Sequence, residues 1–384
     1  MVAHLPQSLS PESLPLTRVL ITGADGFIGS NLLVRLSETP GVVVSRFTRS
    51  EPLEVLRRLV AEADFVLHFA GVNRPPSEDD FTTVNRDLTA TLCEFAAVAT
   101  SPPGIAFASS MHAVRDNAYG RSKRDAEDVL LEYSARTGAP VWLYRFPHVI
   151  GKWSRPNYNS VVATFCYNVA HGLPLEIHDP DFPLRIVYID DLVEEMLRLI
   201  HERPTPGGYR EVIPNYAITV GDLAERLRVF HASRKTLMPG EVGDGLDRAL
   251  YATYLSHLPP EQFSYVLGAH DDPRGRFVEM LRTPSAGQLS FFTARPGVTR
   301  GGHYHHTKNE KFLVVHGHAR FRFQHVATRA NHELFTSGQR PEIVDTVPGW
   351  SHDITNVGDD DLIVMLWANE RFDPEKPDTY PRPL

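Results

Sequence analysis

Two rhythms divide the chain. From Arg18 to about residue 255, short apolar runs with the look of buried strands alternate with stretches of helical spacing. Arg18-Val-Leu-Ile-Thr runs into a helical pattern at Ser30–Leu36, and Val42–Arg49 and Asp64–Ala70 repeat the strand signal. Ile105–Ser110, a helix over Asp125–Thr137 stopped by Gly138, Pro140–Arg145, a helix over Val161–Ala170 and Arg185–Asp191 continue it. Strand and helix in alternation predict a doubly wound parallel sheet of the Rossmann type. From Phe277 the helical spacing stops. Short β-rich runs succeed one another at Gly287–Ala294, Lys311–Val315, Ala319–His325, Glu342–Val347 and Asp361–Ala368, with turns between them. That spacing predicts an all-β antiparallel barrel. Between the two, Asp244–Ser264 is helical in its first half and ends at Pro259-Pro260. The organisation expected is a polar lead-in over 1–15, an α/β domain over 16–258 and a β domain over 259–384.

Composition narrows the class. A hydrophobic fraction of 42% and a charged fraction of 22% over 384 residues describe an ordinary globular chain, long enough for two cores. No apolar run approaches ~18 residues, so no membrane span is expected. The opening MVAHLPQSLSPESLP lacks the basic start and apolar core of a signal peptide. Cys93 and Cys166 sit inside apolar helical patterns, which argues against a disulfide and for a reducing cytoplasm. A net charge of −8 speaks against general affinity for nucleic acid, so an anionic ligand must be held by local groups.

Candidate chemistry begins with Gly23-Ala-Asp25-Gly26-Phe27-Ile28-Gly29 between the first strand and first helix. Glycines at that spacing permit the turn, let backbone N–H groups approach a pyrophosphate and let helix pack on strand. The second strand carries Arg46 and Arg49 where an acid would bind a ribose 2′-hydroxyl, which favours the 2′-phosphate of NADPH. Ala70-Gly71 ends the third strand in a loop that would pass beside the dinucleotide, and Asn85 on the next helix could bridge backbone. Ser109-Ser110 ends another strand, either serine able to orient a carbonyl. Tyr119 and Lys123 come next, at i and i+4 on one helix face. There Tyr119 can donate a proton to an oxygen whose carbon receives hydride, with the Lys123 ammonium lowering the phenol's pKa.

Gly23–Gly29, Ser110, Tyr119 and Lys123 resemble the extended short-chain dehydrogenase/reductase family, whose members usually act on nucleotide sugars. The resemblance places part of a uridine and pyrophosphate site on the segment that opens the Val161–Ala170 helix. Arg145, Lys152, Asn157, Asn159 and Ser160 are the candidates for that anion.

The β domain carries a second constellation. His303-x-His305 puts two imidazoles on one face of a strand, and a turn through Thr307–Asn309 brings back Glu310. His352 comes after the Pro348-Gly349 turn, with Asn356 four residues on. Three imidazoles and a carboxylate suit a divalent ion, Zn²⁺ foremost. The spacing resembles the two motifs of the cupin barrel. The fusion, with YATYLSHLP, HHTKNEKFLVV and NERFDPEKPDTY, resembles over nearly the whole chain the capsular polysaccharide synthesizing enzyme F family.

That resemblance implies a bifunctional enzyme on the route to UDP-N-acetyl-L-fucosamine. The cupin epimerises carbon 3 of a UDP-4-keto-2-acetamido-2,6-dideoxy sugar, and the reductase then reduces the carbon 4 ketone with NADPH. A homodimer is the expected assembly. The order has a chemical reason, because the ketone acidifies the hydrogen at carbon 3 and its reduction locks the new centre. Two other readings stay open: a reductase or dehydratase whose metal group is structural, and a redox or ligand sensor without catalysis.

Overall fold

A computed structural model describes residues 16–384 apart from 75, 76, 286 and 376; the lead-in expected over 1–15 lies outside the described residues. By packing, the chain separates into two units, Met1–Glu225 with Ala252–His257 and Arg226–Tyr251 with Leu258–Leu384.

The first unit is built on β1 (Thr17–Thr22), α1 (Phe27–Ser37), β2 (Val42–Phe47), α2 (Leu53–Glu62), β3 (Phe65–His68), α3 (Leu88–Ala97) and β4 (Gly104–Ser110). It continues through α4 (Ala118–Thr137), β5 (Val141–Phe146), β6 (His148–Ile150), α5 (Val161–Ala170), β7 (Pro183–Tyr188), α6 (Ile189–Glu202), β8 (Gly208–Arg210) and β9 (Tyr216–Thr219). Six strands form a parallel sheet in the order β2-β1-β3-β4-β5-β8. Strands buried on both faces must be apolar throughout, as Phe65-Val-Leu and Val141-Trp-Leu-Tyr are. The helices cover the sheet with apolar stripes at three- and four-residue spacing. Leu56, Leu59 and Val60 of α2, Leu92 and Ala96 of α3, and Ala126 and Leu130 of α4 pack with Leu20, Val66, Ile105 and Leu143 of the strands. Each large apolar side chain among them contributes roughly 1.5–3 kcal/mol when fully buried. After β1 the chain steps to β2 on one side and returns to β3 on the other. The loops therefore diverge at the carboxyl ends of β1 and β3, which opens a crevice there. A small sheet in the order β6-β7-β9 lies in the same unit.

The segment between units forms α7 (Val220–Thr236) and α8 (Gly245–Leu255), and the division falls inside both. The second unit then contains β10 (Ala269–Asp272), β11 (Gly275–Arg282), β12 (Gln288–Ala294), β13 (Thr299–Tyr304), β14 (Glu310–His316) and β15 (His318–His325). β16 (Asn331–Ser337), β17 (Ile343–Asp345), β18 (Trp350–Asn356), β19 (Leu362–Ala368) and β20 (Tyr380–Pro381) complete it. They form two antiparallel sheets, β10-β11-β12-β19-β14-β17 and β16-β15-β18-β13-β20. Alternation sets the inner faces: Phe292, Phe312, Val314, Leu362 and Val364 of one sheet share a core with Ala319, Phe321, Phe323 and Ile354 of the other. Among the strands outside the runs read from the sequence are β10 and β16. β10 (AHDD) and β16 (NHELFTS) are exposed edge strands, so neither needs the alternating pattern that marks a half-buried one.

Both cysteines are free and buried, and burial pushes the Cys93 thiol up to about 12. Among the described residues no helix is long and apolar enough to cross a membrane.

Candidate functional site

In the first unit the glycine loop sits at the carboxyl end of β1. Gly23 has φ +71°, and a Cβ there would stand 2.7 Å from the Ala70 amide nitrogen. At Gly29 a Cβ would stand 2.2 Å from the Gly23 carbonyl oxygen, so only glycine lets α1 come this close to β1. Gly26 caps α1 without a side-chain bond, and the first turn holds no acid. The amides of Phe27, Ile28 and Gly29 have no acceptor inside the helix and present partial positive charge to an anion. Asp25 is exposed on the same loop.

The loop after β3 is held against this turn. The Thr22 hydroxyl bonds His68 Nδ1 at 2.6 Å and accepts from the Ala70 amide at 3.2 Å. Asn85 bridges backbone as its position suggests: it accepts from the Val72 amide at 2.8 Å and donates to the Val72 carbonyl at 3.0 Å. A methyl at Gly71 would stand 3.1 Å from Lys123 Nζ, so this loop lies beside the lysine head.

The helix α4 brings the reactive pair together. Asn117 caps it by accepting from the Gly120 amide at 2.7 Å, and Gly138 closes it at φ +74°. Tyr119 therefore lies in the first turn with Lys123 one turn on. Burial raises the Tyr119 phenol above its ordinary value, with a bond to the Ser110 side chain in partial opposition. The phenol thus keeps its proton through neutrality here. Lys123 Nζ donates to the Ala108 carbonyl at 2.9 Å, and burial brings the ammonium down to about 8 while Glu127 opposes the shift. The two serines part ways. Ser110 faces Tyr119 and accepts from the His112 amide at 3.1 Å, whereas Ser109 bonds the Glu127 carboxylate.

Glu127 is one residue that sequence reasoning missed. It is 1% exposed and accepts from Arg145 Nε at 2.9 Å and from the Tyr209 hydroxyl at 2.9 Å. Its position at i+4 from Lys123 is the signal that could have found it. Arg145, a sequence candidate for the substrate anion, is thereby committed: it pairs with Glu127 through Nε and Nη2 and lies 4.6 Å over the Tyr209 ring. Lys152 is paired with Asp190. Ser160 caps α5 by accepting from the Ala163 amide at 3.2 Å. Asn157 (φ +55°) and Asn159 are exposed, and among the described residues their side chains make no hydrogen bond. A cavity of about 50 Å³ beside Met111 is lined by Arg145, Arg185, Arg210 and Asn215. Arg185 and Arg210 are thus further cations that face an opening in this unit, which strand patterning alone does not flag. Arg46 and Arg49 are exposed at the end of β2 and, among the described residues, unpaired.

In the second unit His303, His305, Glu310 and His352 converge, their ligand atoms all within 4.8 Å of one another. Both sheets contribute. His303 on β13 lies directly opposite His352 on β18, and Glu310 opens β14 of the other sheet. A bulge with Gly301 at φ +94° and Gly302 at φ +77° turns β13 just before His303. Pro348 and Gly349 form a turn closed by the Trp350 amide on the Val347 carbonyl at 3.0 Å, with Gly349 at φ +79°, which suits proline then glycine at its centre. Glu310 Oε2 lies 3.4 Å from His305 Nε2 and 3.6 Å from His352 Nε2. Both of these nitrogens are buried and lack a hydrogen-bond partner among the described residues. Burial would raise the Glu310 carboxyl, but His305, His352 and the Lys308 ammonium at 3.0 Å hold it well below the usual range. Burial and His352 push the His303 ring down to about 4. Imidazoles with orphaned nitrogens beside a carboxylate are a donor set that fits a divalent ion. Asn356 is not one of the ligands: it bonds the Ala294 and Asp360 carbonyls, both at 2.8 Å.

Comparison with known proteins agrees with this division. The NAD dependent epimerase/dehydratase family matches residues 19–211, and the Polysaccharide biosynthesis C-terminal domain matches residues 270–380. A Pseudomonas aeruginosa protein described as UDP-2-acetamido-2,6-beta-L-arabino-hexul-4-ose reductase is 51% identical over 363 residues, 94% of this chain and 98% of its own. The crystal structure of the capsular polysaccharide assembling protein CapF from Staphylococcus aureus superposes with a TM-score of 0.89 at 40% identity, covering 95% of this chain and 100% of that one. UDP-glucuronic acid 4-epimerase from Bacillus cereus, solved with NAD, shares the fold of the first unit at 17% identity and a TM-score of 0.54, over 63% of this chain and 98% of its own. The chain belongs to the capsular polysaccharide synthesizing enzyme F family.

Proposed function

We propose that this protein is a bifunctional enzyme of capsular polysaccharide precursor synthesis. On this reading it epimerises carbon 3 of a UDP-4-keto-2-acetamido-2,6-dideoxyhexose and reduces the carbon 4 ketone with NADPH to a 6-deoxy-talosamine type product. The observation that carries it is one chain holding both a Ser110–Tyr119–Lys123 group beside a glycine loop and a buried three-histidine, one-carboxylate cluster.

In the reductase half NADPH supplies the hydride. Its pyrophosphate would lie on the amides of Phe27–Gly29, and its 2′-phosphate would meet Arg46 and Arg49, which no acid among the described residues neutralises. The acid closest in sequence, Glu51, is turned to the Thr48 amide at 2.7 Å. Ser110 would orient the ketone while Tyr119, protonated through neutrality, donates to its oxygen. Lys123, charged below about pH 8, favours the resulting phenolate. With Arg145, Lys152 and Ser160 engaged elsewhere, Arg185 and Arg210 take over as candidates for the diphosphate, with Asn157 and Asn159 beside α5 retained.

The second unit is read as a cupin barrel. His303, His305, Glu310 and His352 would hold a divalent ion, Zn²⁺ by ligand type, and such an ion supplies the Lewis acidity that polarises the ketone oxygen. The protein would act as a cytoplasmic homodimer. The test is incubation with a UDP-4-keto-6-deoxy amino sugar in deuterated water. Deuterium should enter carbon 3 without NADPH, and NADPH should then trap the epimerised alcohol. Reduction with no exchange would refute the epimerase half.

A further inference from the structure

The ligands His305 and Glu310 lie on either side of a loop, His306 to Asn309, and that loop is held by a residue far along the chain. The Asp378 carboxylate accepts from three successive amides, His306 at 3.0 Å, Thr307 at 2.7 Å and Lys308 at 2.8 Å, and from the Thr307 hydroxyl at 3.0 Å. Successive amides aimed at one point form an anion-binding nest, here filled by the protein's own carboxylate. The main-chain carbonyl of the same residue bonds His305 Nδ1. A carbonyl can only accept, so Nδ1 must carry the ring's hydrogen. In the neutral ring Nε2 is then the lone-pair nitrogen, and it is the buried, orphaned atom 3.4 Å from Glu310.

The residues just after Asp378 reach the other ligands. Pro381 pairs with His303 and Tyr380 with Tyr304, and the Tyr304 and Tyr380 rings stack at 5.3 Å. The Arg382 amide donates to the Gly302 carbonyl at 2.7 Å, and Ser351, next to His352, donates to the Arg382 carbonyl at 2.5 Å. His303, His305 and the neighbour of His352 are thus braced by one short stretch, Asp378 to Arg382.

We propose that this stretch is a built part of the metal centre, with Asp378 as the positioning residue that presents His305 Nε2 and fixes the loop to Glu310. The inference rests on the metal reading above. An Asp378 substitution removes no ligand, so a change in metal binding would come only through position.

The test titrates the full-length metal-free chain with Co²⁺, following the visible spectrum, and with Zn²⁺ against a chelator. Asp378→Ala should lose about 10- to 100-fold in affinity, the range for outer partners of metal ligands, and its Co²⁺ spectrum should differ from wild type. Asp378→Asn, which keeps shape and main chain but loses charge, should fall between. It decides the matter if thermal melts show the alanine variant unfolded. Affinity and spectrum unchanged in a folded variant, while wild type binds one ion, would overturn the inference alone. Failure of wild type to bind Co²⁺ or Zn²⁺ would remove the metal reading and this inference together.

Discussion

Ser109 and Ser110 are neighbours in sequence, yet one bonds the buried Glu127 and the other faces Tyr119. Ser110→Ala should therefore cost turnover by roughly 10²- to 10³-fold, as loss of one preorganised donor does. Tyr119→Phe should cost ~10²- to 10⁴-fold while NADPH still binds, the range for one general acid. Steady-state NADPH oxidation with binding measured by fluorescence checks both; turnover within a few-fold of wild type would remove either assignment. Arg46 and Arg49 belong to the same scale. A charge-assisted bond is worth about 1.5–3 kcal/mol, so NADPH should be preferred to NADH by at least ~10-fold in kcat/KM, and Arg46→Ala with Arg49→Ala should erase the preference. Sequence shows these charges but not their partners. Arg145 and Lys152 read as free cations because Glu127 and Asp190, which occupy them, lie 18 and 38 residues away.

The helix α4 gathers Tyr119, Lys123 and Glu127 on one face at four-residue spacing, which is legible in the sequence for the first two. The face has an electrostatic consequence. Lys123 is charged below its value of about 8 and loses the charge as pH rises through it. If the ammonium is needed, kcat/KM for NADPH should be flat near neutrality and fall above about pH 8. Glu127 raises the lysine, so Glu127→Gln should move that falling limb to lower pH, which a merely structural carboxylate would not do. A pH profile with the limb unmoved would show that Glu127 only braces Ser109 and Arg145. In the β unit His303-x-His305 and Glu310 are legible as spacing. The pairing of His303 with His352 across 49 residues, and the approach of Glu310 from the other sheet, are not, because contacts between distant strands leave no local mark.

At the scale of the whole chain, packing yields two units, and the two candidate sites fall one to each. Tyr119 and Lys123 belong to the first, and His303, His305, Glu310 and His352 to the second. The alternation of rhythms makes the two-part plan legible in sequence; the contacts of Asp378 with the His306–Lys308 loop and the place of Arg210 beside the Met111 cavity are not, since they arise only where distant segments meet. The separation makes a strong prediction. His305→Ala removes one of the buried orphaned nitrogens and should weaken the ion. The variant should then fail to exchange deuterium into carbon 3 and still oxidise NADPH with the unepimerised ketone, at a reduced rate. A structural metal would give another pattern, with exchange intact or both activities lost as the protein melts at lower temperature. Wild-type exchange by a folded, metal-free His305→Ala chain would place the proton chemistry outside the histidine cluster, and the search for its base would move to the Tyr119 crevice.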